Sequence, residues 1–371
     1  MKSESTFTVT YQVQAHSNSE AQQIAEQLCI EQTVEIPLQT LTDSTLPFVG
    51  KLNSLINKTE NNWHAKIEYS NRLIGDDLTQ FLNILYGNSS LHPGIKILKV
   101  ENSILSELTH GPAFGKDGIR KMLDVRKRAL SCTALKPVGL HTSELAERAY
   151  LFSSGGIDII KDDHGLANQE TSPFRARVAA CVRAVRKGEQ NSGKRTLYFP
   201  NITTSPSRVF HRFDEAMELG ADGVLISPQL AGLEILHELT EKNRCPIMAH
   251  PAFSGSYTIH SNHGISPELY YGKIWRSFGA DAVIYPNTGG RFTISEQTCK
   301  AINHQLRSKL GSLKASFPVP AGGIDRQNIS KWIAKYGNDT ILLIGGSLYL
   351  HPKGIKHAAI EFQKALVDYE E

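Results

Sequence analysis

Residues 155–165 read Gly-Gly-Ile-Asp-Ile-Ile-Lys-Asp-Asp-His-Gly, an apolar strand running into four consecutive ionisable side chains, Lys161, Asp162, Asp163 and His164. Side chains alternate across a strand, so Ile157, Ile159, Lys161 and Asp163 share one side while Asp162 points to the other. His164 opens the following loop. An amine, a carboxylate and an imidazole are therefore expected together at the carboxyl end of one strand, where they could move protons or hold a metal ion.

Other reactive residues recur at regular intervals. Lys136-Pro137, Asn201, His250, the run Asn287-Thr288-Gly289-Gly290-Arg291, and the turns Ala321-Gly322-Gly323 and Gly345-Gly346-Ser347 each follow a short apolar stretch. From about residue 126 the chain repeats helix, short strand and polar or glycine-rich turn. The segments 220–226, 279–285 and 337–344 are near-copies of one helix-to-strand junction. Strands are predicted at Ser131–Lys136, Ile157–Lys161, Thr196–Asn201, Gly223–Ser227, Pro246–His250, Ala282–Tyr285, Val319–Ala321 and Ile341–Gly345. Eight such units define an α/β fold, a (β/α)8 TIM barrel over 126–371, whose chemistry sits at the carboxyl ends of its strands. Paired glycines after strands seven and eight let backbone N–H groups approach an anion, so Ala321, Gly322, Gly323, Gly345 and Gly346 are read as phosphate-binding, with Asn201 and Arg291 on the substrate.

Residues 1–125 differ. Phe7–Val13 and Trp63–Tyr69 alternate as strands, Ser19–Cys29 and Asn71–Tyr86 have helical spacing, and Ile95–Val100 reads as a further strand. That order predicts a small α+β, ferredoxin-like N-terminal domain. The segment His110–Gly115 is expected to link the two.

The chain of 371 residues carries 40 Lys and Arg against 37 Asp and Glu, with no charge blocks, which argues against nucleic acid or a membrane surface as partner. No apolar run of about 18 residues occurs, so no membrane span is expected. The five cysteines, Cys29, Cys132, Cys181, Cys245 and Cys299, are widely spaced and odd in number, which fits a reducing, cytoplasmic setting.

These residues together resemble ribulose bisphosphate carboxylase (RuBisCO), and more closely its RuBisCO-like, form IV proteins, over nearly the whole chain. The resemblance implies that Lys161 is carbamylated by CO2 and holds one Mg2+ per site with Asp163, and that His164 stands where the family has a glutamate. His164 is then either a third ligand or an acid/base. Lys136 resembles either of two family lysines, one of which handles the substrate proton, and His250 the histidine closing strand five. Glu31 resembles a glutamate that the N-terminal domain lends to a partner subunit, implying a homodimer with shared active sites. The catalytic set is thus Lys136, Lys161, His164, His250 and Glu31.

Departures from the pattern carry equal information. Pro251 replaces an arginine, Ile284 and Tyr285 stand where strand six has a histidine, Pro112 replaces an asparagine, and the mobile lysine after strand six is missing, with Arg291 the nearest cation. A bisphosphate would leave one end unpaired, so the resemblance implies a singly phosphorylated keto sugar or keto sugar acid and no CO2 fixation. The Lys-Asp-Asp-His run resembles enzymes that decarboxylate, or transcarboxylate and hydrolyse, 3-oxo-isoapionate 4-phosphate. The alternatives are a 2,3-diketo-5-methylthiopentyl-1-phosphate enolase or related methionine-salvage isomerase, and a non-catalytic sugar-phosphate-binding protein.

Overall fold

The computed structural model describes residues 5–292 and 294–369. The chain forms two compact units, one comprising the residues up to Thr109 with Ser254–Tyr270, the other His110–Phe253 with the residues from Tyr271 onward.

The first unit contains β1 (Thr6–Gln14), α1 (Asn18–Glu31), β2 (Lys51–Thr59), β3 (Asn62–Ser70), α2 (Leu78–Tyr86), β4 (Ile95–Val100) and α3 (Asn102–Leu108). β1 pairs antiparallel with β3 and β4, and β2 pairs antiparallel with β3. The alternation read in β1 buries Phe7, Val9, Tyr11 and Val13. α1 starts at Ser17, whose hydroxyl accepts the Glu20 N–H at 3.1 Å. The single helix expected over Asn71–Tyr86 is interrupted. Gly75 has φ +66°, and Asp77 restarts the helix as α2 by accepting the Gln80 N–H at 3.0 Å. β2 escaped the sequence reading because its residues are exposed or half-buried, which leaves no apolar alternation to detect.

In the second unit α4 (Gly115–Leu123) comes first. Its Ile119 and Leu123 pack into the barrel core with Leu130, Ile159, Leu197, Leu225 and Val319. The division therefore falls at Thr109/His110 instead of near 125, because α4 buries its apolar face on the barrel.

The barrel strands are β5 (Leu130–Leu135), β6 (Ile159–Asp162), β7 (Leu197–Phe199), β8 (Val224–Ile226) and β9 (Ile247–Ala249). After β9 the chain forms β10 (Gly264–Ile265), which pairs parallel with β4 in the first unit. It then returns as β11 (Ala282–Pro286), β12 (Phe317–Ala321) and β13 (Ile341–Leu343). The eight barrel strands are parallel in the order β7-β6-β5-β13-β12-β11-β9-β8. The two ends of that ladder meet at a parallel bridge between Asn201 and Leu225. All eight predicted strands are present: β7, β8, β9 and β13 are trimmed by two or three residues, β11 and β12 extend beyond the predicted ranges, and β5 and β6 are shifted by one or two residues.

Asp222 and Asp281 of the repeated junctions, and Asp158 before β6, tie neighbouring strands at their amino ends, whereas Asp339 of the third junction accepts from Arg120 at 2.9 Å. Asp158 accepts the Ser131 N–H at 2.8 Å, Asp222 the Tyr198 N–H at 2.9 Å, and Asp281 the Ile247 N–H at 2.7 Å. These ties sit at the amino ends of the strands and leave the opposite, carboxyl face open for chemistry.

Candidate active site

Five of the residues singled out converge at the carboxyl ends of β5, β6 and β9. Lys136 follows β5, Lys161 lies in β6 with Asp163 and His164 after it, and His250 follows β9. Lys161 is buried, and its Nζ donates to the Asp162 carbonyl at 3.0 Å. Burial pushes its amine below the ordinary lysine range, and the Lys136 charge adds to that direction. Lys136 Nζ donates to Asp163 Oδ1 at 2.5 Å, and His164 Nδ1 lies 3.4 Å from the same oxygen. Burial pushes the Asp163 carboxyl up, but the hydrogen bonds from His164 and Lys136 outweigh it and hold the group well below the usual carboxylate range. The His164 ring stacks on His250, with centroids 4.3 Å apart and planes 14° from parallel. Burial first, then the Lys161 and His164 charges, drives His250 well below the ordinary histidine value. Its Nδ1 accepts the Ala252 N–H at 3.1 Å, which leaves Nε2 as the other ring position.

His250 gives stability a sign that can be checked. Its folded pKa lies below the unfolded value of about 6.5, so on acidification the unfolded chain takes up the proton first. Stability from this group is fully present above about pH 6.5 and is lost as pH falls below it. The urea midpoint should drop between pH 7.5 and 5.5, and His250→Gln should flatten that drop. An unchanged slope in the variant would exclude His250 as its source.

Asp162 points away from this cluster, as alternation requires. It accepts from Arg177 Nε at 3.1 Å, the Tyr198 hydroxyl at 2.7 Å and the Asn201 N–H at 3.0 Å. Asn201, expected on the substrate, is fully engaged elsewhere. Its amide donates to the His164 and Leu166 carbonyls, both at 2.9 Å, and its Oδ1 accepts the Thr203 N–H at 3.1 Å. It is 1 % exposed, so it holds the His164 loop in place instead of facing a ligand.

Two residues the sequence reading missed brace Lys136. The Tyr349 hydroxyl accepts the Lys136 N–H at 3.1 Å and donates to the Ala134 carbonyl at 2.7 Å. Arg148 donates to the Lys136 carbonyl and stacks on Tyr349 at 5.3 Å. No spacing rule would have linked Tyr349, which lies 213 residues from Lys136.

The glycine turns are open and close-packed in turn. Gly322 and Gly323 have φ +109° and +70°, and a Cβ on Gly323 would lie 2.7 Å from the Gly289 carbonyl oxygen. Only glycine fits there. A Cβ on Gly345 or Gly346 would meet nothing within 4 Å, so those backbones border free space. Ala321 ends β12, and its carbonyl accepts the Asn287 N–H at 3.0 Å. Arg291 is exposed and lies over Phe292 at 5.9 Å. Glu31 lies in the first unit at the last residue of α1, where Asn88 donates to it at 3.1 Å. Ile284 is buried in the barrel core, so β11 supplies no cation at that level, and Pro251 supplies none after β9.

Among the described residues no group of three or more His, Cys, Asp or Glu is arranged to hold a metal ion. The donors present are the Asp163 carboxylate and the His164 imidazole beside the Lys161 amine. A carbamate formed on that buried, charge-disfavoured amine would add the hard oxygen that Mg2+ prefers, so the set fits the metal with Lys161 carbamylated.

The catalytic-domain family of the ribulose bisphosphate carboxylase large chain matches residues 116–368. The chain belongs to that family, and its relatives include the RuBisCO-like branch. It is 37 % identical over 358 residues to ribulose bisphosphate carboxylase-like protein 1 of Rhodopseudomonas palustris, covering 95 % of each chain. It is 36 % identical over 346 residues to the 5-methylthioribulose-1-phosphate isomerase of Rhodospirillum rubrum, covering 91 % of this chain and 90 % of that one. Among solved structures, the octameric ribulose-1,5-bisphosphate carboxylase/oxygenase of Pyrococcus horikoshii superposes with a TM-score of 0.92 at 27 % identity, covering 100 % of this chain and 91 % of that one.

Proposed function

We propose that this chain is an enzyme that moves a proton beside the carbonyl of a keto sugar or keto sugar acid bearing one phosphate, without fixing CO2. The observation that carries this reading is the convergence of Lys136, Asp163, His164 and His250 around the buried Lys161. Lys161 as carbamate, Asp163 and His164 would hold Mg2+. When bound, the cation would act as a Lewis acid on the developing oxyanion, worth several kcal/mol. His250, kept neutral by burial and accepting the Ala252 N–H at Nδ1, presents its Nε2–H as a hydrogen-bond donor to the substrate oxygen, and Lys136 holds Asp163 ionised and oriented. The Gly322-Gly323 and Gly345-Gly346 turns take the single phosphate.

The isomerase relative supports a methionine-salvage substrate, 5-methylthioribulose 1-phosphate or the related 2,3-diketo-5-methylthiopentyl 1-phosphate. The second reading, decarboxylation or transcarboxylation and hydrolysis of 3-oxo-isoapionate 4-phosphate, is favoured by His164 in place of a carboxylate, because a less negative site tolerates a substrate carboxylate better. Assaying these substrates with Mg2+ and bicarbonate, in D2O with NMR detection, separates the two. Deuterium incorporation beside the carbonyl is expected with one of them, and none with any would overturn the proton-transfer reading. With ribulose bisphosphate and labelled bicarbonate, no labelled phosphoglycerate above background is expected, since neither Ile284 nor Pro251 offers a cation to a second phosphate.

Two further features belong to this reading. The five cysteines are free and buried, which supports a reducing, cytoplasmic setting, and among the described residues no helix is long and apolar enough to cross a membrane. The octameric relative supports assembly of this chain with copies of itself, and Glu31 at the end of α1 is proposed to complete a partner's site in a homodimer. Co-expressed Glu31→Gln and Lys161→Ala chains should then recover part of the activity that each lacks alone. Mixtures as inactive as both parents would exclude shared sites.

A further inference from the structure

The glycine turn after β12 is shaped by one side chain from the loop after β11. Asn287 is 1 % exposed and uses every polar group it has. Its N–H donates to the Ala321 carbonyl at 3.0 Å, and its own carbonyl accepts the Gly290 N–H at 3.2 Å. Its side-chain amide donates to the Gly322 carbonyl at 2.9 Å, and its Oδ1 accepts the Tyr336 hydroxyl at 2.7 Å. Tyr336 closes the helix Ile329–Tyr336, which follows the same glycine turn.

The arrangement fixes orientation in a way the glycines cannot. Gly322 and Gly323 lack side chains, and a flexible glycine pair visits many backbone conformations, few of which aim its N–H groups at one point. Here Gly290 backs onto Gly322 so closely that an added Cβ would lie 3.2 Å away, and Asn287 clamps the Gly322 carbonyl from the same side. With that carbonyl turned onto Asn287, the following peptide plane is set, and with it the direction of the Gly323 N–H. The Tyr336 hydroxyl fixes which end of the amide faces Gly322, because a donor at Oδ1 leaves only the NH2 to face the carbonyl.

We propose that Asn287, oriented by Tyr336, is the positioning residue that preorganises the Gly322-Gly323 turn for an anionic group of the substrate. This inference rests on the assignment of that turn to the phosphate in the proposed function. Asn287 touches no reacting atom in this scheme. Its loss therefore acts on binding of the anion and leaves proton transfer intact.

Three variants and a ligand measured without turnover test it. Asn287→Asp keeps the acceptor for Tyr336 but removes the donor to Gly322. Tyr336→Phe removes only the orienting hydroxyl, and Asn287→Ser leaves a small polar side chain if the aspartate variant fails to fold. Binding of inorganic phosphate to the wild-type protein and each variant would be measured by isothermal titration calorimetry. The dissociation constant should rise on the order of tenfold in Asn287→Asp or Asn287→Ser and less in Tyr336→Phe. With whichever substrate exchanges deuterium in the assay proposed above, KM should rise in parallel at an unchanged kcat. Equal phosphate affinity in wild type and the Asn287 variants would overturn the positioning role. Absence of phosphate binding in the wild type would instead remove the phosphate assignment of the turn, and the two failures are thereby told apart. A fall in kcat at constant KM would also overturn the proposal, since it would place Asn287 in the proton-transfer machinery.

Discussion

Replacing Lys161 by methionine is expected to leave a folded protein whose turnover falls by about 10³-fold or more. The side chain is buried at the centre of the cluster, and its amine is already biased toward the neutral form that reacts with CO2. Methionine preserves much of the volume, so the barrel should survive, whereas the nitrogen that would carry the carbamate is gone. A matching experiment uses the unmodified chain. Turnover should vanish after treatment with a chelator, return with Mg2+, and return faster when bicarbonate is present. Circular dichroism and a urea titration establish that the variant is folded. A methionine variant that turns over at the native rate, or a stripped enzyme that remains active without added metal, would remove both the carbamate and the metal from the scheme.

A comparably large effect, on stability, is expected at Arg177. The Arg177 and Asp162 side chains are both 0 % exposed and lie 3.1 Å apart. Arg177 also donates to the Ser172 and Ala167 carbonyls, each at 2.8 Å. Arg177→Met would strand the Asp162 charge in the interior and leave two loop carbonyls without their donor, at a cost of about 3–5 kcal/mol in unfolding free energy. The loop concerned is the one that begins with Asp163 and His164, so activity should fall with it. The double variant Arg177→Met/Asp162→Leu should be more stable than the single one, because the stranded charge is then removed as well. A single variant within about 1 kcal/mol of the native chain would show that the pair does not hold the loop.

The run Lys161-Asp162-Asp163 shows where local sequence was sufficient. Lys161 and Asp162 end β6 and Asp163 follows directly, and strand alternation alone sends the first and third toward the site and the second toward the helix Phe174–Ser192. The eight barrel strands were readable for a related reason. Each is a short run of buried apolar residues between turn signals, and the period is set by backbone geometry that does not depend on partners. β2 had no such signal because its residues stay exposed or half-buried, and the break in the helix before α2 depended on Gly75 and the Asp77 cap.

Sequence by itself thus determined the kind of fold, the face that carries chemistry, and the identity of the ionisable residues on that face, since these follow from periodicity and from residue type. Tertiary structure alone decided what each of them does. Asn201 was turned from a candidate ligand group into a clamp on the His164 loop, Tyr349 and Arg148 were brought onto Lys136, His164 was stacked on His250, and Asn287 was set against Gly322. Each of these is a contact between strands or loops distant in the chain, and its energy depends on distance, burial and shared hydrogen bonds that no spacing along the sequence encodes.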